Sequence, residues 1–393
     1  MNNSSLTADA FALAFGDLPV EEALALREGT AFRHFPAPRA DRYQALLSVA
    51  DLDAFLRTGA ARCPPVTMAD DRREGSAGVP DEAFTREDGR VDHARLFALF
   101  DAGASLVVSQ FHEMHPPLAR FCRGLERLFL HGVQCNVYLT PPGAQGFRVH
   151  FDTHDVLVLQ VQGDKRWRLW PEIPVPHATR RTPWQGGRVE PEGTPEVLVM
   201  RPGDALYVPR GMLHDAAAVP GGPASLHLTI GLLEPCWADM LHSALDLAEP
   251  EDAGLRAPFP SWRLGEPEGG AAMLEAMRRH LAALATPEML ERISLRWLDG
   301  LAGSRLGLPA RGLLSPAPGP EDRLQLTDGM LHHVAALPDG TAELRWSGGR
   351  EALSAVAQDW LIRLEEGASP AELGEGALEF CRRLAAAGLL EPA

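Results

Sequence analysis

Residues 150–155 read His-Phe-Asp-Thr-His-Asp, two imidazoles and two carboxylates within six positions. Each can hold a metal ion or move a proton, so the question is which of them converge. On an extended strand side chains alternate faces, which puts His150 and Asp152 on the same side. His154 shares that parity, but four residues of strand place its Cα about 13 Å from that of His150. His154 and Asp155 are therefore read as supports that orient a ligating ring or close a turn.

A third ligand must come from elsewhere. In GDALYVPRGMLH, Gly203, Pro209, Gly211 and His214 follow the spacing G-x5-P-x-G-x2-H. Gly203 opens a turn, residues 205–208 make a strand, and Gly211 permits a tight bend ahead of His214. His150, Asp152 and His214 form a two-histidine, one-carboxylate set on one face of an octahedron, with three positions open, as in non-haem Fe(II) oxygenases. A closed zinc site would take four ligands, typically with cysteine. Either motif alone is commonplace and structural in most chains. The two together, each at the end of a predicted strand, favour a metal centre, which would also accept Mn(II), Co(II), Ni(II) or Zn(II).

The elements that must position these groups are short strands. From about residue 104 the runs SLVVSQF, VQCNVYLT, DVLVLQVQ, RWRLW, EVLVM, ALYV and SLHLTIGLL alternate with Gly/Pro turns, the texture of a β-barrel or sandwich. Residues 1–100 read mostly helical, and HPPLARFCRGLERLFL is an amphipathic helix. After Pro235 the pattern is helical again: Met273, Met277, Leu281 and Leu284 form a stripe, and Thr286–Pro287 supplies an N-cap and a first-turn proline. LLSPAPGPED (313–322) is a linker by composition, and the strands and helices beyond it resemble a winged-helix unit. The expected domains are 1–235 (catalytic barrel with N-terminal helices), 236–312 (helical, a homodimer interface) and 313–393 (winged-helix-like). From Arg311 onward there are 7 arginines, no lysine and 13 acidic residues, which argues against DNA binding by this unit.

Within the barrel, QVQGDKRW reads as a hairpin with a type II′ turn at Gly163–Asp164, so that Gln162 faces Lys165 and Gln160 faces Trp167. With the strand unbroken from 150, Lys165 shares the face of His150 and Asp152, and Arg166 points outwards. A lysine turned into a barrel is costly unless it meets an anion. An oxygenase that splits O2 at Fe(II) needs two further electrons. A keto acid chelating two open positions can supply them, and its distal carboxylate would meet that lysine.

The P-x-G-x2-H stretch is similar to the second cupin motif, and the H-x-D to that of the Jumonji-C branch. The block VQCNVYLTPPGAQGFRVHFDTHDVLVLQVQGDKRWRLW (133–170) resembles the signature of the ribosomal oxygenases, Jumonji-C-type protein hydroxylases. The resemblance covers residues 105–235. It implies a mainly β core, a double-stranded β-helix (cupin/Jumonji-C barrel), with N-terminal helices, a helical middle domain and a C-terminal winged-helix-like domain. It implies Fe(II), 2-oxoglutarate and O2, with Lys165 at the C5 carboxylate, Tyr138 and Thr229 as hydroxyl donors to it, and Asn136 beside the metal-proximal end. It also implies an Arg or His side chain of a ribosomal protein as substrate.

Composition fits a basic protein partner. Against 37 basic residues stand 53 acidic ones, a net charge of −16 that repels nucleic acid, attracts cationic loops and aids solubility. The loop TPPGAQGF (140–147) is expected to wall the substrate channel. The five scattered cysteines make no zinc ribbon or disulfide framework. With no basic-then-apolar leader and no run long enough for a bilayer, the chain reads as cytoplasmic, without a membrane partner. Other uses of the barrel are hydroxylation of a peptide natural-product precursor or free amino acid, demethylation of a methyl-lysine, and a non-catalytic cupin that binds a metal or ligand.

Overall fold

The near-continuous apolar run DVLVLQVQ requires a strand covered on both faces, and the structure supplies both covers. The computed structural model describes residues 5–74, 77–182, 191–266, 269–304, 307–337 and 340–393. The chain divides into two units, Met1–Glu234 and Pro235–Ala393.

The first unit carries helices α1 (Ser5–Phe15), α2 (Val20–Ala25), α3 (Val49–Leu56), α4 (His93–Asp101) and α5 (Pro116–Phe129). Its strands are β1 (Arg33–Phe35), β2 (Val66–Ala69), β3 (Ser105–Val108), β4 (Gly132–Thr140), β5 (Asp155–Gln162), β6 (Lys165–Leu169), β7 (Glu196–Met200), β8 (Ala205–Val208), β9 (His214–Ala218) and β10 (Ser225–Leu233). Seven form one antiparallel sheet in the order β1-β8-β5-β10-β4-β3-β2, and β7-β6-β9 form a second.

Parity sorts the strand residues. Leu157, Leu159 and Val161 of β5 pack with Val133, Cys135 and Val137 of β4, with alternate residues of β10, and with Leu118 and Leu125 of α5. Val156 and Val158 instead join Trp167, Leu169, Met200 and Leu206 in a second core between the sheets. The remaining face of the β4–β10 pair is polar: Gln134, Asn136, Tyr138 and Thr140 stand opposite Gly231, Thr229, His227 and Ser225. That polar face is where the site is built.

The structure departs from the sequence reading in three places. β1 and β2 lie in the region read as mostly helical, and both join the large sheet. The hairpin at Gly163–Asp164 is not formed: β5 pairs with β10 and β8, β6 with β7 and β9. Gly163 (φ +65°) turns a corner between sheets, where a Cβ would lie 2.7 Å from the Ala224 carbonyl. The Gln160 carboxamide ties that corner, donating to Gly163 O at 2.8 Å and Ser225 Oγ at 2.9 Å. Finally, the strand does not run unbroken from 150; β5 starts at Asp155, and residues 151–154 lie outside any strand.

The second unit contains helices α6 (Trp237–Ala248), α7 (Gly269–Leu284) and α8 (Pro287–Ser304), then β11 (Leu324–Leu326), β12 (His332–Ala336), β13 (Ala342–Trp346), β14 (Gly349–Leu353), α9 (Ala355–Glu365), α10 (Pro370–Leu373), α11 (Ala377–Ala386) and β15 (Leu390–Pro392). The Thr286 hydroxyl caps α8, accepting from Met289 N–H at 3.1 Å. Ala244 and Ala248 of α6 pack on Leu284, Met289 and Ile293. Trp237, Leu241 and Leu245, one stripe of α6, are exposed to 82, 55 and 42%, and Met277 and Leu281 of α7 are exposed as well. No helix among the described residues is long and apolar enough to cross a membrane.

Candidate metal centre

Backbone pairing brings the two motifs together. The N–H of His150 donates to His214 O at 3.0 Å and that of His214 to His150 O at 2.8 Å, an isolated antiparallel bridge. Gly211 (φ +85°) turns the chain ahead of His214, and its N–H donates to Asp152 O at 2.9 Å. A Cβ at Gly211 would stand 2.1 Å from the Val175 carbonyl, so the bend admits only glycine.

Side-chain hydrogen bonds then set the rings. His150 Nδ1 lies 2.8 Å from Arg148 O and His214 Nδ1 lies 2.9 Å from Met212 O. A carbonyl only accepts, so each Nδ1 carries a proton, which leaves Nε2 as the nitrogen able to ligate. One ligand atom from each of His150, Asp152 and His214 lies within 4.8 Å of the others, and no fourth His, Cys, Asp or Glu joins them among the described residues. Burial, reinforced by His150, holds the His214 pKa down to about 4, so its ring is neutral near pH 7. Two imidazole nitrogens and a carboxylate oxygen fit a divalent ion such as Fe(II) with open positions, and do not fit a cysteine-based closed site.

The same cavity is lined by Tyr138, Thr140, Lys165, Trp167, His227 and Thr229. Lys165 reaches it although the register that suggested this is not formed; strand alternation within β6 buries Lys165 and Trp167 and exposes Arg166. Its Nζ donates to Thr140 Oγ1 at 2.8 Å, and the Ser105 hydroxyl donates to the same oxygen at 3.0 Å. Burial presses the Lys165 pKa down to about 7. His227 stacks on Tyr138 with centroids 4.9 Å apart; burial, then the neighbouring Lys165, keeps it neutral. Burial also pushes the Tyr138 hydroxyl up, so it remains a donor. Gly146 and Phe147, the end of the loop 140–147, also line the cavity.

Of the residues singled out from sequence, Asn136 stands apart. It shares the inner face of β4 but does not line the cavity, and its carboxamide oxygen accepts from Gln110 N–H at 2.9 Å. Thr140, Ser105 and His227 were not singled out. Two of them were findable, since Thr140 shares the parity of Tyr138 and His227 that of Thr229. Ser105 comes from a strand with all four residues buried, where alternation carries no signal. Asp155 is a support: its carboxylate accepts from Tyr207 OH at 2.6 Å and Arg210 N–H at 2.9 Å. His154 is outside the ligand cluster, its Nε2 3.1 Å from Gln134 Nε2.

Residues 107–240 match the JmjC domain family. Ribosomal oxygenase 2 of Mus musculus is 32% identical over 257 residues, 62% of this chain and 52% of the mouse protein. The bifunctional lysine-specific demethylase and histidyl-hydroxylase NO66 of Aedes aegypti is 33% identical over 201 residues, 51% of this chain and 31% of the mosquito protein. The chain thus spans about half or less of the length of these relatives. The Escherichia coli ribosomal oxygenase YcfD shares the fold, with a TM-score of 0.57 at 17% identity over 96% of this chain and 98% of that one. A structure of YcfD with cobalt and 2-oxoglutarate gives 0.52 at 17% identity, over 95% of this chain and 98% of that one. The fold is therefore the mainly β core expected from the sequence, with the inner polar face of β4 and β10 as its pocket.

Proposed function

We propose that this JmjC-domain protein is an Fe(II)- and 2-oxoglutarate-dependent oxygenase that hydroxylates an arginine or histidine side chain of a basic ribosomal protein. The observation that carries the reading is the shared cavity: three metal-type donors at one end and a buried lysine with hydroxyl partners at the other. The relatives named ribosomal oxygenases supply the substrate class, and the net charge of −16 suits a cationic partner.

The chain's own groups have defined tasks. His150 and His214 present Nε2 lone pairs because their Nδ1 protons are bound to carbonyls, and Asp152 adds one negative oxygen. When bound, Fe(II) with 2-oxoglutarate and O2 supplies the oxidising power for an unactivated C–H bond. Lys165 holds the distal carboxylate of the keto acid, with the Thr140, Tyr138 and Thr229 hydroxyls beside it. Trp167 and Phe147 wall the cavity and restrict water. Ligand geometry, pocket walls and substrate placement are the protein's contribution, and no side chain is required as general base.

The exposed α6 stripe of Trp237, Leu241 and Leu245 supports a homodimer through the helical region. A cytoplasmic location, with ribosomes as the source of substrate, completes the reading.

The test is mass spectrometry of ribosomal proteins from cells with and without the gene, paired with anaerobic Fe(II) reconstitution followed by O2. A +16 Da difference on an Arg- or His-containing peptide, with succinate formed in step, is expected. Succinate without any ribosomal difference moves the substrate to a precursor peptide or free amino acid. Succinate formation no faster than in His150→Ala leaves a binding barrel without catalysis.

A further inference from the structure

Gly231 lies inside β10, opposite Gln134 of β4 and Val156 of β5. Its φ is not in the left-handed region, so the backbone there would accept any residue. A glycine inside a strand weakens it and often marks a close approach by another group. Here that group is an imidazole. A Cβ at Gly231 would stand 2.6 Å from His154 Nε2, 2.8 Å from its Cδ2 and 3.0 Å from Gln134 Cγ. The His154 ring therefore occupies the space a side chain would fill, against the Gln134 carboxamide. Being planar and short, it cannot swing clear as a flexible chain end would.

What this seat does follows from Asp152. The rings of His150 and His214 are each tethered through Nδ1. The Asp152 carboxylate has no such tether among the described residues; it lies 3.8 Å from His214 Nε2. Its position is set by the main chain of residues 151–154, which no strand holds. That segment is pinned upstream by the His150–His214 bridge and at Asp152 itself by the Gly211 N–H. Downstream, the first side chain to anchor it is His154.

Resting on the metal-centre reading above, we infer that Gly231 is a positioning residue for the metal-binding carboxylate: by withholding a side chain it seats His154, and the seated ring fixes the segment that carries Asp152. A group two residues from a ligand, displaced by the better part of an ångström, moves that ligand with it, and supports of this kind are worth about 10–100-fold in metal affinity.

Co(II) titration of the full chain, followed by the visible absorption of the bound ion and accompanied by thermal melts, tests this in wild type, Gly231→Ala, His154→Ala and the double variant. One Co(II) per wild-type chain is expected, with binding about tenfold weaker in each single variant and no further loss in the double variant. That non-additivity is the signature, because the tightest contact of an alanine Cβ at 231 is the ring, at 2.6 Å, ahead of Gln134 Cγ at 3.0 Å. Equal losses from Gly231→Ala with and without His154 overturn the inference, as does wild-type affinity in Gly231→Ala. Where Gly231→Ala does not fold, His154→Ala decides alone, and wild-type affinity in it overturns the inference. A wild-type chain that takes up no Co(II) overturns the metal-centre reading and the inference with it, a result distinct from a normal wild type beside an unaffected variant.

Discussion

The Lys165 ammonium and the Thr140 hydroxyl stand 2.8 Å apart inside the barrel, and no carboxylate pairs with that ammonium among the described residues. A buried cation with one neutral partner is poised for an anion, and burial alone brings its pKa to about 7. An anionic ligand restores the proton, so the dissociation constant for 2-oxoglutarate should rise with pH above about 7. Lys165→Met should lose that dependence and bind 2-oxoglutarate about 10–100-fold more weakly, the worth of a charge-assisted hydrogen bond. Calorimetric titration of the Co(II)-loaded protein across pH 6–9 reads both.

The same lysine makes a stability prediction of definite sign. In the unfolded chain it titrates near 10.5, and in the ligand-free fold near 7. Between those values the unfolded chain holds the extra proton, so this group makes the ligand-free protein more stable as pH rises through that window. Denaturation series at pH 7 and pH 9 should show the gain in wild type and a smaller gain in Lys165→Met.

Thr140→Val keeps the shape but removes the oxygen that accepts from both Lys165 and Ser105. Two buried donors lose their partner, at about 1–3 kcal/mol. Weaker 2-oxoglutarate binding with unchanged Co(II) affinity is expected, since Thr140 is outside the ligand cluster. A variant that loses both equally would show that the two ends of the cavity are not separable.

Asp155→Ala should act on the fold. The carboxylate is 2% exposed and satisfies Tyr207 OH and Arg210 N–H. Removing it strands the Arg210 N–H and leaves Tyr207 OH only its 3.2 Å bond to Leu26 O, at about 1–3 kcal/mol by chemical denaturation. Tyr207→Phe, which keeps the Arg210 bond, should lose about 1 kcal/mol.

The helical region carries its own test. Leu241→Glu places a charge in the exposed apolar stripe of α6 and should shift light-scattering mass from dimer to monomer without altering Co(II) affinity. A wild-type monomer contradicts the dimer.

Much of the site was legible because its parts are local. H-x-D and P-x-G-x2-H each fix their own backbone, and alternation in VQCNVYLT exposes its inward residues by parity alone. What escaped is what depends on pairing at a distance. Gly163–Asp164 carries the sequence of a hairpin turn, yet the flanking strands find better partners in β10, β8, β7 and β9. β9, His214–Ala218, is mostly alanine, with little strand propensity of its own, and is held by β6. His150 and Asp152 do converge, but through a bend rather than along a strand. The seat under His154 needs a glycine 77 positions away, which no local pattern reveals.

Oxygenase chemistry here requires the imidazole at 214 to complete a half-open cage with residues 150 and 152. Anaerobic addition of Fe(II) and 2-oxoglutarate, read by the visible charge-transfer absorption of an iron-chelated keto acid, tests this most directly. The band is expected at one iron per wild-type chain and should be lost in His214→Ala. No band in wild type, or an undiminished one in His214→Ala, would contradict it.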